Sequence, residues 1–345
     1  MVNTIFVCDS PYQVIAACCI QYYRRTPSVL ILTNHVMGMD RICDRMRLYT
    51  SLFKSVYYVD AKKYENGNEQ KERIDFEILN FLSSYNLTEC KEIVIGSLLP
   101  YMLRLFKVFK CDLNQSLLCG GIIEDGFSTY SIMENLLNRY KYKFDFKKIY
   151  LYNPSLLAWK PDMDIVQINK SCFLDNVFCK ELNNIFAYYD LEDAYDEKFI
   201  FLESSYEEFS QIKNLREILF NLSDIVGKEN IIIKNHPRTK KDIYKEYGFK
   251  TNSNSLVPWE IIALNRNLSD KIIISTYSGA IFTPCILFEK EMTGIILMRI
   301  VEQEDPLSFS KYYQKYVLKQ YQQYFFVPNN VEEYRYLITK LNKKN

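Results

Sequence analysis

The sequence predicts an α/β protein built from two Rossmann-like, parallel-sheet units, and three observations carry that prediction. Short β-branched and aromatic runs recur along the 345 residues, separated by helix-length stretches, a spacing that calls for parallel pairing through right-handed crossovers. This series occurs twice, on either side of a less regular middle, with no evident sequence repeat. The length exceeds what one ordinary core fills and suits two domains of roughly 150 to 170 residues.

In the first series Thr4 to Cys8 reads as a strand, and Pro11 to Tyr23 as a helix with proline in its first turn and apolar residues at helical spacing. Strand Val29 to Thr33, helix Arg41 to Leu52 and strand Val56 to Val59 follow, then a polar loop around Asn66-Gly67-Asn68. Helix Arg73 to Tyr85, strand Glu92 to Gly96, helix Tyr101 to Phe109 and a strand within Gln115 to Ile123 complete the series. The middle, from Lys147 to Tyr195, holds Tyr150-Leu151-Tyr152-Asn153-Pro154, a strand-like Asp164 to Ile168 and the acidic run Asp190 to Glu197. The passage between domains is expected near Asp190 to Lys198, giving domains 1–190 and 198–345.

The second series runs through strand Phe199 to Glu203, helix Tyr206 to Val226, strand Asn230 to Lys234, and helices Lys240 to Tyr247 and Trp259 to Leu264. Strand Lys271 to Ser275, helix Ser278 to Leu287 and strand Thr293 to Arg299 close it. Tyr312 to Tyr324 reads as helical, and its Tyr/Lys stripe is expected to pack on a domain surface with lysine stems over aromatic rings.

Lys+Arg number 43 against 42 Asp+Glu, so a nucleic-acid partner engaged by phosphate neutralisation is not expected. Met1 to Asp9 is apolar but short, lacks a basic start and reads as a first strand, not a signal peptide; no apolar run reaches membrane-span length. The ten cysteines, among them Cys18, Cys19, Cys90, Cys111, Cys119, Cys172 and Cys285, lack CxxC spacing. They read as reduced core thiols of a cytoplasmic protein, and no bound metal is expected.

Polar clusters sit where three of the strands end. Ile231-Ile232-Ile233 runs into Lys234-Asn235-His236-Pro237-Arg238, and ligands of open α/β sheets bind beyond the carboxyl ends of strands. A Lys, a His and an Arg there suit an anion, and Pro237 keeps the preceding residues out of helical geometry; a solvated basic turn fits the same residues. The second cluster, Gly120-Gly121-Ile122-Ile123-Glu124-Asp125-Gly126, ends in adjacent carboxylates that raise one another's pKa, which suits one of them to take a proton from a sugar hydroxyl; a plain Asp-Gly turn is the alternative. The third, Ile274-Ser275-Thr276-Tyr277-Ser278-Gly279, passes into a helix start that suits a phosphate, or is an ordinary serine cap. Glu260, after Pro258-Trp259, suits two ribose hydroxyls or simply caps its helix. P-loop, GxGxxG, zinc and acyl-transfer signatures are absent.

Taken in order, Glu124-Asp125-Gly126, Lys234-Asn235-His236-Pro237-Arg238 and Ser275-Thr276-Tyr277-Ser278-Gly279 resemble the three motifs of the bacterial sialyltransferases. Phe6-Val7-Cys8-Asp9-Ser10-Pro11-Tyr12-Gln13-Val14 resembles the Pro-x-Gln start of glycosyltransferase family 52, the lipooligosaccharide and capsule sialyltransferases. The resemblance implies a GT-B architecture, two Rossmann-like domains facing across a cleft, with the acceptor on the N-terminal and CMP-sialic acid on the C-terminal side. The chain's last helix would be free to pack back on the first domain. The resemblance also implies a metal-independent, inverting transfer of sialic acid to a galactose-type hydroxyl of a surface glycan, with no cofactor beyond the nucleotide-sugar donor. His236 would protonate or stabilise the departing phosphate, Lys234, Pro237 and Arg238 would support it, Ser275, Thr276, Ser278 and Gly279 would hold it, and Glu260 would take the ribose. Asp125, or its neighbour Glu124, is the motif-based general base, and Glu203 the alternative from the second domain. Peripheral attachment at the inner face of the membrane through the acceptor, and a homodimer, are both compatible with the family. The rival expectations are a CDP-polyol phosphotransferase of surface-polymer synthesis and a non-catalytic nucleotide-sugar sensor.

Overall fold

The computed structural model describes residues 2–62, 71–109, 113, 118–140, 146–188, 195–204, 212–239, 241–252, 257–302 and 309–343. The Asn66-Gly67-Asn68 loop, Cys111, Lys240 and most of the acidic run, residues 190–194, lie outside them. The chain forms two compact units, Met1–Phe186 and Ala187–Asn345, described in turn.

The first unit contains strands β1 Thr4–Cys8, β2 Ser28–Thr33, β3 Ser55–Val59, β4 Glu92–Ile95, β5 Cys119–Ile123, β6 Phe146–Leu151 and β7 Asp164–Gln167. Its helices are α1 Pro11–Arg24, α2 Met39–Tyr49, α3 Lys71–Ser84, α4 Pro100–Lys107, α5 Phe127–Ser131, α6 Met133–Tyr140 and α7 Asn176–Ile185. All neighbouring strands pair in parallel in the order β3-β2-β1-β4-β5-β6-β7. Ile5 at the centre registers with both Val29 and Ile93. Because helices cover both faces, β1 and β2 are buried at every position, which is why they read as unbroken apolar runs rather than alternating ones.

The irregularity expected from Lys147 onward is corrected here. Phe146–Leu151 is a strand of the sheet, followed by β7 and by α7, which Asp175 caps through Val177 N at 2.7 Å. Lys147 and Lys148 interrupt the apolar pattern because β6 is buried mainly at Phe146 and over its last three residues.

The second unit contains β8 Phe199–Leu202, β9 Ile231–Lys234, β10 Lys250–Asn252, β11 Ile272–Ser275, β12 Thr293–Ile296 and β13 Phe325–Phe326. Its helices include α8 Leu215–Val226, α9 Ile243–Glu246, α10 Trp259–Asn265, α11 Thr283–Phe288 and α12 Val331–Asn342. The order β10-β9-β8-β11-β12-β13 repeats the winding of the first unit with no sequence repeat behind it. The winding reverses between β1 and β4 in one sheet and between β8 and β11 in the other, the positions where such sheets bind ligands. The last helix, α12, belongs to this second unit and packs on α8, with Arg335 donating to Asn221.

Two local corrections have clear causes. Gly279–Phe282 is a 3₁₀ turn before α11, because Pro284 has no amide hydrogen to return to Ala280 O; that carbonyl accepts the Thr283 amide instead, and the Thr283 hydroxyl at 2.8 Å. Helical residues Phe309–Tyr312 and Leu318–Tyr321 flank a π-helical segment, Tyr313–Val317, where Tyr313 is buried against Phe282 at 4.9 Å and donates to Tyr277 O at 2.8 Å. Tyr313 thus packs the Tyr/Lys stripe on the second unit, while Lys315 Nζ lies 5.1 Å from the ring centre of its neighbour Tyr316.

Candidate active site

In the first unit, β5 delivers Glu124 and Asp125 to the carboxyl edge of the sheet. Glu124 is buried and saturated: it accepts the hydroxyls of Tyr12 and Tyr130 and the Tyr152 amide, the last at 2.7 Å. Burial pushes its carboxyl up to about 7 against the pull of those donors. With each oxygen occupied and no solvent at the group, Glu124 organises the site and is poorly built to take a substrate proton.

Asp125 is half-buried, its Oδ1 accepting Ser10 Oγ at 3.1 Å and its amide donating to Thr129 Oγ1 at 2.8 Å. Gly126 follows at φ +63, a left-handed value that a side chain resists, and the chain turns there into α5. Across the reversal of the winding, Ser97 Oγ donates to Asp9 Oδ2 at 2.6 Å, and Gln13 Oε1 accepts the Asp9 amide at 2.8 Å. A Cβ on Gly96 would stand 1.8 Å from Gln13 Oε1, so the Pro-x-Gln glutamine and this glycine require one another. The sequence marks Asp9, Ser10 and Tyr12 only through the Asp-Ser-Pro-Tyr-Gln run at the end of the first strand, and gives no signal for Ser97.

In the second unit, β9 brings Lys234 to the sheet edge and Asn235 to Thr239 form the turn beyond it. His236 is half-buried, and its Nδ1 accepts the Arg238 amide at 3.2 Å. An amide can only donate, so the neutral ring carries its hydrogen on Nε2 and offers an N–H donor there. Burial first, then the positive charges of Arg238 and Lys234, bring the imidazole down to about 4, so the ring is neutral at pH 7 in the unliganded protein. The same charges attract an anion, to which Nε2–H can donate.

Lys234 is 4 % exposed and burial lowers its ammonium to about 8, while Glu260, 7 % exposed at the first turn of α10, is raised by burial to about 7. Each favours the charged form of the other. Asn235 Oδ1 and Trp259 Nε1, both from buried residues, lack hydrogen-bond partners among the described residues. Unsatisfied polar groups of this kind, one in the His-Pro turn and one at the start of α10, suit a ligand rich in hydroxyls and ring nitrogens. Neither Asn235 nor Trp259 has a sequence signal of its own apart from the motif that contains it.

The serine motif divides. Ser275 and Thr276 are buried and committed to the fold: Ser275 Oγ donates to Leu202 O at 2.9 Å and accepts the Ser278 amide at 3.2 Å, and Thr276 Oγ1 pairs with Ser204 Oγ at 2.7 Å. Ser278 and Gly279 are partly exposed at the start of the 3₁₀ turn, which makes this end of the motif the accessible one. Glu203, at the end of β8, is turned to the His-Pro turn, its Oε2 accepting His236 N at 2.7 Å. Pro237 and Arg238 are half-buried members of that turn.

None of the nine described cysteines is in a disulfide, and among the described residues no group of three or more His, Cys, Asp or Glu side chains is placed to hold a metal ion. Nor is any described helix long and apolar enough to cross a membrane.

Comparison with solved structures gives relatives at low identity, which speak to fold alone. An alpha/beta-galactoside alpha-2,3-sialyltransferase from Photobacterium phosphoreum is 9% identical, with a TM-score of 0.55 over 94% of this chain and 98% of that one. A UDP-GlcNAc 2-epimerase from Methanocaldococcus jannaschii is 17% identical, with a TM-score of 0.58 over 100% of this chain and 94% of that one. A glycosyltransferase from Rickettsia africae is 12% identical at a TM-score of 0.50, covering 99% and 90%. No curated protein matches the chain by sequence. The two parallel-sheet, Rossmann-like units are of the GT-B type, as expected. The sequence profile described as Alpha-2,8-polysialyltransferase (POLYST) matches residues 4–295, which takes in all three motifs. The chain therefore belongs to the alpha-2,8-polysialyltransferase family and is a glycosyltransferase of the sialyltransferase kind.

Proposed function

We propose that this protein transfers sialic acid from CMP-sialic acid to a galactose-type hydroxyl of a bacterial surface glycan, lipooligosaccharide or capsule, with inversion and without a metal ion. The observation that carries the reading is the His-Pro turn, where a neutral histidine keeps Nδ1 on the Arg238 amide and Nε2–H for a ligand, among two cations. Departure of CMP leaves growing negative charge on a phosphate oxygen. A hydrogen bond donated from Nε2–H stabilises that charge as the bond breaks. Ser278 and Gly279 receive the phosphate, and Lys234, Glu260 and the neighbouring Asn235 and Trp259 receive the nucleoside.

Asp125 is the general base. It takes the proton of the acceptor hydroxyl, whose oxygen attacks the anomeric carbon from the face opposite the leaving phosphate, and the bond to CMP breaks with its electron pair on the phosphate oxygen. One displacement inverts the centre. The family description favours a second acceptor, a hydroxyl of a terminal sialic acid in an alpha-2,8-linked chain. The same chemistry serves either acceptor.

The test is incubation with CMP-sialic acid and either a lactoside or a sialyl-terminated oligosaccharide in the presence of EDTA, followed by linkage analysis of the product. Transfer that survives EDTA supports the reading, and the linkage chooses the acceptor. Turnover with a CDP-polyol and none with CMP-sialic acid would sink it.

A further inference from the structure

Glu203 stands at the end of β8, where the winding of the second sheet reverses, and from sequence it is the alternative general base. Its surroundings describe different work. The residue is 5 % exposed, and its Oε2 accepts both His236 N at 2.7 Å and Thr239 Oγ1 at 2.6 Å. Its own amide donates to Lys234 O at 3.1 Å, so Glu203 grips the end of β9 and the turn after it. The turn closes on itself through Thr239 N to His236 O at 2.9 Å and Arg238 N to His236 Nδ1 at 3.2 Å. A general base must offer an accessible lone pair; Oε2 already holds two donors, which leaves only Oε1, itself buried.

We propose that Glu203 is a positioning residue: its carboxyl anchors the His-Pro turn so that His236 keeps Nδ1 on the Arg238 amide and Nε2–H for the ligand. The proposal rests on the reading of His236 as the leaving-group partner. Charge alone does not explain the arrangement, because the groups that bear on the imidazole are the cations Arg238 and Lys234, while Glu203 reaches it through the backbone.

The chain has two histidines, His35 and His236, so imidazole nitrogen and proton resonances can be followed in the full-length protein and assigned with His35→Gln. Glu203→Gln keeps a carbonyl oxygen able to accept both donors, and is expected to hold His236 in the Nε2–H tautomer, with its titration unmoved and kcat within about 10-fold of the parent. Glu203→Ala frees the turn. The tautomers should then mix, the titration should move toward the ordinary histidine range, and kcat should fall about 100-fold. Thr239→Val, which spares the carboxyl, should shift the same signals in the same direction by less, and serves if Glu203→Ala does not fold. The positioning role is overturned if Glu203→Gln is as inactive as Glu203→Ala while its His236 resonances match the parent, because the carboxylate would then move the proton itself. Unmoved His236 resonances in both Glu203→Ala and Thr239→Val overturn it as well. The resonances need no turnover: a parent protein that fails to transfer from CMP-sialic acid, yet shows the expected shifts, refutes the donor reading and supports the anchor.

Discussion

At the scale of single residues, the site works by burying ionisable groups until their charge states change. His236 is held neutral by desolvation and by two cations, and offers an anion an uncharged N–H donor. His236→Ala is expected to cut turnover about 100-fold with a smaller change in acceptor affinity, read from steady-state kinetics. Asp125→Asn should lose a comparable factor while binding CMP normally; an Asp125→Asn enzyme of near-normal turnover would remove it as the base. Glu260 gives a pH prediction. Its carboxyl rises from an ordinary 4.5 to about 7, so the folded chain holds a proton that the unfolded chain releases in that window. This contribution is complete below pH 4.5 and is lost as pH rises through about 7. Glu260→Gln should flatten that slope, its Tm gaining on the parent's as pH rises from 4.5 to 7.

At the scale of elements, the two acids at the end of β5 have opposite fates because the strand edge is also the edge of the core. Glu124 is the last residue sealed beneath Tyr12, Tyr130 and Tyr152, and Asp125 is the first beyond the seal. Glu124→Ala leaves two phenols and a buried amide without an acceptor and should cost about 2 to 4 kcal/mol in urea denaturation, far more than Asp125→Ala. The serine motif splits on the same principle. Ser275 and Thr276 sit where β11 ends inside the packing, and Ser278 comes after the chain has emerged. Adjacent residues of one motif therefore do different work according to which side of the sheet edge they occupy.

At the scale of the whole molecule, the two units share one winding without sharing a sequence. Both solve the same problem, a parallel sheet covered on both faces, and the solution leaves polar residues at the reversal of the strand order in each. If the donor belongs to the second unit, CMP should slow amide hydrogen exchange at 203–204, 231–239, 259–261 and 275–280, with residues 118–131 of the first unit unaffected. Protection confined to the first unit would reverse the assignment of donor and acceptor sides.

The sequence by itself determined the architecture and the three motifs. Doubly buried strands must be apolar throughout, and the polar residues that follow them mark each sheet edge, so Ile231 to Arg238 was legible as a strand and the polar turn beyond it. It did not reveal β6, whose two lysines interrupt an apolar run, nor β13, which is only Phe325 and Phe326. Only the tertiary structure decided which members of each motif are committed to the fold and which stay accessible. That depends on the donors that arrive from distant strands, as Tyr152 does at Glu124 and the His236 amide at Glu203, and a carboxylate in a sequence does not show whether its lone pairs are already taken.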